Sequence, residues 1–95
     1  MLYKLSDIIE NRKHNPQPGS YTSQLLSEGE DAILKKVGEE AMEVILAAKG
    51  QGSQRLVEEV ADLLYHTLVL LSSQGLSLAE IDAELRRRHS RKKPA

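Results

Sequence analysis

The sequence predicts an all-α fold: a helical bundle built round a central antiparallel helix pair. Three observations lead there. Apolar residues recur at three- and four-residue intervals through each long segment. Capping residues and glycines punctuate the chain at helix-length intervals. No period-2 stretch of β-branched residues competes.

The first helix runs from Leu2 to about Lys13, with Leu5, Ile8 and Ile9 on one face. His14-Asn15-Pro16-Gln17-Pro18-Gly19 is a loop stiffened by two prolines. Ser20 can cap a short helix near Tyr21 to Ser27 that ends at Gly29. A long helix follows from about Asp31 to Lys49, and Lys49-Gly50-Gln51-Gly52-Ser53 breaks it. The next helix takes Ser53 as N-cap and stops at Gly75 as a C′ glycine. Ser77-Leu78-Ala79-Glu80 reads as a capping box opening a last helix through Ile81 and Leu85 to about His89.

The 95 residues are expected to form a single domain, 1–95, with a thin core. The absence of cysteine excludes a disulfide scaffold, a thiolate zinc site and a cysteine nucleophile, and it fits a reducing compartment. No apolar run approaches the roughly 20 residues of a membrane span, and the N-terminus does not read as a signal peptide. A cytoplasmic protein without a membrane partner is expected. With no Trp or Phe, base stacking could use only Tyr3, Tyr21 or Tyr65.

A net charge of −1 conceals an asymmetry, because all 14 acids but only seven of the 13 bases precede residue 86. Such an acidic body argues against nucleic-acid binding, which depends on Lys and Arg contacts to phosphate. The basic tail, about 86–95, reads as a favourable, solvated helix end fading into disorder, with contact to a phosphorylated ligand as the sharper alternative.

Two carboxylate groups stand in mirror positions about the central turn: Glu43 and Glu59 each lie eight residues from Gln51, and Glu40 and Asp62 each lie eleven. At about 100° per residue, Ile33, Leu34, Val37, Ala41, Val44, Ile45 and Ala48 form one stripe of roughly 120°. Leu56, Val57, Val60, Leu63, Leu64, Leu68, Leu70 and Leu71 form the facing stripe. The acids flank both stripes on corresponding sides, so antiparallel helices would gather Glu40, Glu43, Glu59 and Asp62 in one place. Glu39 and Glu58 lie further round.

A solvated acidic surface is the plain alternative. Lys35, Lys36 and Arg55 stand four residues before Glu39, Glu40 and Glu59 and could offset some charge. Glu43 and Asp62 have no cation one turn away, only acids, which costs a few tenths of a kcal/mol per like-charge pair. A divalent cation relieves that repulsion. Carboxylate donors suit Mg²⁺, with Mn²⁺ able to substitute, and disfavour zinc. Mg²⁺ commonly binds carboxylates together with substrate phosphates, so a phosphorylated substrate follows. Neither a GxxxxGK[ST] loop nor a GxGxxG is present to hold those phosphates.

Other polar candidates each have a structural reading beside the functional one. His66, four residues past Asp62, could contact phosphate or simply bond within the bundle. Lys36 could meet a substrate phosphate or form a surface ion pair. Arg12, Lys13 and Ser20-Tyr21-Thr22 could cover a substrate, although capping explains Ser20. Gly38 is best explained by packing. Leu68, Leu70 and Leu71 spread apolar surface over a wide arc, which favours a homodimer core.

Lys35-Lys36-Val37-Gly38-Glu39-Glu40-Ala41-Met42-Glu43, followed by Glu59-Val60-Ala61-Asp62-Leu63-Leu64-Tyr65-His66, resembles the phosphoribosyl-ATP pyrophosphohydrolase family of histidine biosynthesis. Gly19-Ser20-Tyr21-Thr22 and Gly75-Leu76-Ser77-Leu78 are similar too, so the resemblance covers nearly the whole chain. The wider group is the MazG-type all-α nucleoside triphosphate pyrophosphohydrolases, which share EExxE and ExxD signatures. The resemblance implies a homodimeric four-helix core and Mg²⁺-dependent hydrolysis of a small-molecule nucleotide, phosphoribosyl-ATP, to phosphoribosyl-AMP and pyrophosphate. It also implies Glu40, Glu43, Glu59 and Asp62 as metal ligands, with Glu39 accessory or orienting water. Only this one step is expected, since the chain lacks the cyclohydrolase domain fused to it in some organisms. A house-cleaning enzyme acting on other nucleotides, or a helical dimerisation module without activity, stays open at this point.

Overall fold

A computed structural model, describing residues 1–91, shows the all-α class directly: α1 (Leu2–His14), α2 (Tyr21–Glu28), α3 (Glu30–Gly50), α4 (Ser53–Ser73) and α5 (Leu78–Arg91). No strand occurs among the described residues. Arg86 to Arg91 continue α5, and the remainder of the basic tail lies outside the described residues.

The helix ends follow from local chemistry. Ser20 Oγ accepts the Ser23 backbone N–H at 3.1 Å, satisfying an orphan donor at the start of α2. At the end of α4, Gly75 adopts φ +74°. Its N–H reaches the Ser72 carbonyl at 3.0 Å, while the Leu76 N–H reaches that of Leu71 at 2.8 Å, closing a Schellman motif. The expected capping box is half-formed: the Glu80 carboxylate accepts from the Ser77 N–H at 2.9 Å and also from its hydroxyl. Ser53 is not the N-cap of α4. Gly52 takes that place at φ +90°, a left-handed conformation that serine would adopt only with strain, so Ser53 becomes the first helical residue.

The α3–α4 pair forms the largest interhelical interface. Ile9, Leu25, Ile33, Leu68 and Val69 form a core drawn from α1 to α4. The packing departs from the expected stripe-on-stripe arrangement. The far half of α4 is covered within the chain, Leu68 and Val69 being buried and Leu70 and Leu71 half-buried against the core. It is the near half of α4 that stays open, with Val57 62% exposed, and Ile45 of α3 is 61% exposed. Leu34, Val60 and Leu64 are exposed as well. The seam between α3 and α4 therefore uses one edge of each stripe and leaves the other edge uncovered.

Candidate active site

Antiparallel pairing about Gln51 brings Glu40 of α3 beside Glu59 and Asp62 of α4. One carboxylate oxygen from each lies within 4.8 Å of the others. The three differ in environment: Glu59 is buried in the seam, Glu40 is half-buried and Asp62 is exposed. About 100° per residue turns Asp62 about 60° away from Glu59, which carries it out of the seam towards solvent.

Glu59 is the exceptional member. Its side chain is 6% exposed, and one carboxylate oxygen is held by Arg55 Nη2 at 2.5 Å. Arg55 is shared, since its Nη1 also bonds Glu58 at 2.9 Å. Burial pushes the Glu59 carboxyl above the ordinary range. Arg55 opposes that shift, while the charges of Asp62, Glu40 and Glu43 add to it. One exposed, divided guanidinium thus leaves the cluster short of positive charge. An all-oxygen donor set with a buried, under-compensated carboxylate fits a hard divalent cation and lacks the nitrogen and sulfur donors that tetrahedral zinc sites favour.

Glu43 and Glu39 occupy different places. Glu43 is half-buried one turn nearer the hairpin tip and lies outside the group of three, although its charge acts on both Glu59 and Arg55. Glu39 is exposed and faces Lys36 Nζ at 3.6 Å.

Beside Asp62, a polar and aromatic cluster ties α2 to α4. His66 is buried, and its Nδ1 lies 2.8 Å from the Asp62 carbonyl. That oxygen can only accept, so in the neutral ring Nδ1 carries the proton. Nε2 then accepts from the Tyr21 hydroxyl at 2.9 Å. Tyr65 meets His66 edge-on with ring centroids 5.0 Å apart, and its hydroxyl bonds that of Thr22. Burial raises the Tyr21 hydroxyl above its usual value.

Arg12 and Lys13 do not join the acids. Both line a separate cavity of about 370 Å³ with Ser23, Ser27 and Gln74, and Lys13 Nζ donates to the Ser72 carbonyl at 2.8 Å. The neighbouring loop is fastened down, the Gln17 N–H bonding Ser23 Oγ at 2.9 Å. Sequence reasoning gave Arg55 only a role in charge offset, and it passed over the pairing of Tyr65 with Thr22. The position of Arg55, four residues before Glu59, was the available signal for the first. Nothing in the spacing of Thr22 and Tyr65 announced the second.

Residues 2–89 match the family described as phosphoribosyl-ATP pyrophosphohydrolase. The phosphoribosyl-ATP pyrophosphatase of Clostridium acetobutylicum is 48% identical over 91 residues, covering 96% of this chain and 83% of that protein. The protein of the same name from Pyrobaculum islandicum is 53% identical over 88 residues, covering 93% of this chain and 94% of that one. The histidine biosynthesis bifunctional protein of Pyrococcus furiosus is also 53% identical over 88 residues, 93% of this chain but 41% of its own length. A carboxylate cluster at the seam of a helical hairpin and relatives of this similarity along nearly the full length agree, and the chain belongs to the phosphoribosyl-ATP pyrophosphohydrolase family.

Proposed function

We propose that this chain hydrolyses phosphoribosyl-ATP to phosphoribosyl-AMP and pyrophosphate, the second step of histidine biosynthesis, as a Mg²⁺-dependent cytoplasmic homodimer. The observation that carries the reading is the trio Glu40, Glu59 and Asp62, gathered within 4.8 Å in a chain about half identical to proteins named for this activity.

Glu40, Glu59 and Asp62 would hold the cation, with Glu43 the nearest further carboxylate. When bound, Mg²⁺ (or Mn²⁺) neutralises phosphate oxygens and lowers the pKa of water. The remaining work falls to the chain. A carboxylate beside the attacking water takes its proton. Glu39, exposed and only loosely engaged by Lys36, can orient that water. The Tyr21–His66 hydrogen bond fixes α2 against α4 one turn beyond Asp62. The uncovered apolar edge of the α3–α4 hairpin supports the dimer. None of the described helices is long and apolar enough to cross a membrane.

The test is pyrophosphate release with Mg²⁺ from phosphoribosyl-ATP, ATP and dUTP, with Asp62→Asn as control. Release from phosphoribosyl-ATP alone, lost in the variant, is the expected result. Preference for ATP or dUTP would move the chain to a house-cleaning role, and no release from any of them would overturn the enzymatic reading.

A further inference from the structure

The acids of α3 and α4 sit far from the turn that joins their helices. Glu40 and Asp62 are each eleven residues from Gln51, about 16 Å along either helix axis. Like charge among Glu40, Glu59 and Asp62 opposes their close approach there. Arg55 holds Glu59, but among the described residues no side chain bonds the carboxylate of Glu40 or Asp62. The apolar core closes the far end of the pair at Ile33, Leu68 and Val69, nearly two turns beyond Asp62. Between the acids and that core stands one polar tie.

The tie is built on His66, one turn past Asp62. Its ring is buried and both nitrogens are engaged: Nδ1 with the Asp62 carbonyl at 2.8 Å and Nε2 with the Tyr21 hydroxyl at 2.9 Å. Neither nitrogen is left for a substrate phosphate. Tyr21 is the first residue of α2, and Gly29 alone separates α2 from α3. Leu25 and Ile33 pack in one core, so the two helices form an arm that carries Glu40. The Tyr21 hydroxyl is close enough to that carboxylate to feel its charge. A second bond alongside links the hydroxyls of Thr22 and Tyr65, and the Tyr65 ring meets His66 edge-on. Two adjacent residues at the start of α2 are thus fastened to two adjacent residues of α4, directly beyond the acids.

We propose that Tyr21 and His66 are positioning residues, which hold the α2–α3 arm at the distance from α4 at which Glu40, Glu59 and Asp62 can share one divalent cation. Thr22 and Tyr65 support them. The inference rests on the cation site of the reading above and deepens it. The pair acts through the spacing of the helices and the Asp62 main chain, steadying ligands whose side chains are otherwise free, as groups behind metal ligands do. Carboxylates already held at the right separation lose less freedom when they bind.

Calorimetric titration of Mg²⁺ into the parent and its variants tests this without turnover. Tyr21→Phe keeps the ring and removes only the hydroxyl, and it should weaken Mg²⁺ binding by about tenfold. Thr22→Val should weaken it to a smaller extent. Ser72→Ala is the control for a merely structural tie: Ser72 is buried, and its hydroxyl joins α4 to Glu10 of α1 at 2.7 Å, ten residues beyond Asp62. That variant should unfold at lower urea concentration and keep the parent's Mg²⁺ affinity. Equal Mg²⁺ affinity in the parent and Tyr21→Phe would overturn the inference and leave the cation site standing. So would a loss in Ser72→Ala as large as that in Tyr21→Phe. A parent chain that binds no Mg²⁺ overturns the reading and the inference together.

Discussion

Replacing Ile45 by glutamate should convert a dimer into folded monomers. Leu34, Ile45, Val57, Val60 and Leu64 are between 37% and 62% exposed. Full burial of such a side chain stabilises by ~1.5–3 kcal/mol, so covering the remaining half yields ~1 kcal/mol each and ~10 kcal/mol for two copies of the face. Association opposes this by ~4–15 kcal/mol, which is comparable, so added contacts along the faces decide the dissociation constant. A two-fold axis would bury two unpaired carboxylates in the variant at several kcal/mol each, weakening the dimer by more than ~1,000-fold. The monomer fold should survive, since Ile45 contributes little to the interior at 61% exposure. Sedimentation velocity from ~1 to ~100 µM spans the relevant range, with circular dichroism to check helix content. A parent chain that sediments as a monomer at the top of that range refutes the reasoning. So does an Ile45→Glu variant that dimerises as well as the parent.

Four further outcomes are expected. With chelator present, Glu59→Gln should unfold at a higher temperature than the parent at neutral pH. Burial raises the Glu59 carboxyl, so its ionisation disfavours the folded state above the folded pKa and ceases to do so as pH falls through it; the advantage of the variant should shrink on acidification. Glu84 has the opposite sign: hydrogen bonds from Arg87 and Arg88 hold it down to about 2, so its contribution is full above the ordinary carboxylate value and fades as pH falls towards about 2. Glu84→Gln should therefore destabilise α5 at neutral pH and not at strongly acid pH, as followed by helix content. Mg²⁺ at about 100 times its dissociation constant should stabilise the parent by ~2.7 kcal/mol. Asp62→Asn should lose that thermal shift, and a retained shift would remove Asp62 from the ligand set. Tyr21→Phe, which strips His66 Nε2 of its donor, should cost about 0.5–1.5 kcal/mol by urea unfolding.

The helices were legible because their ends are spelled locally: Ser20 caps α2, and Gly75 terminates α4 through its positive φ. The acids were legible for a different reason, since equal spacing about Gln51 fixes equal heights on an antiparallel pair. Choosing among them was harder. Glu40 and Glu43 differ by about 60° of phase and one turn of height, and the twist of the hairpin decides which of them meets Glu59. Periodicity also mistook the meeting face. It found stripes wide enough for two interfaces but could not say which edge a neighbour in the same chain would cover. Only the crossing of α1, which sets Ile9 against Leu68 and Val69, resolves that. The same crossing places Arg12 at a separate cavity, a result no local pattern contains.

The two edges of the hairpin have consequences for each other. At about 100° per residue, roughly 140–160° separates Val57, Val60 and Leu64 from Asp62 on α4, and Ile45 from Glu40 on α3, while Glu59 sits in the seam itself. Repulsion among Glu40, Glu59 and Asp62 pushes the two helices apart on the acidic side, and the shared Arg55 offsets only part of it. Apolar contact with a second copy would draw the same helices together on the other side. A cation between the acids and a partner on the apolar edge thus favour one and the same spacing of α3 and α4. Two ligands that favour one conformation strengthen each other's binding. Metal affinity in this chain should therefore rise with protein concentration across the dimerisation range, and Ile45→Glu, though remote from every carboxylate in the trio, should weaken Mg²⁺ binding.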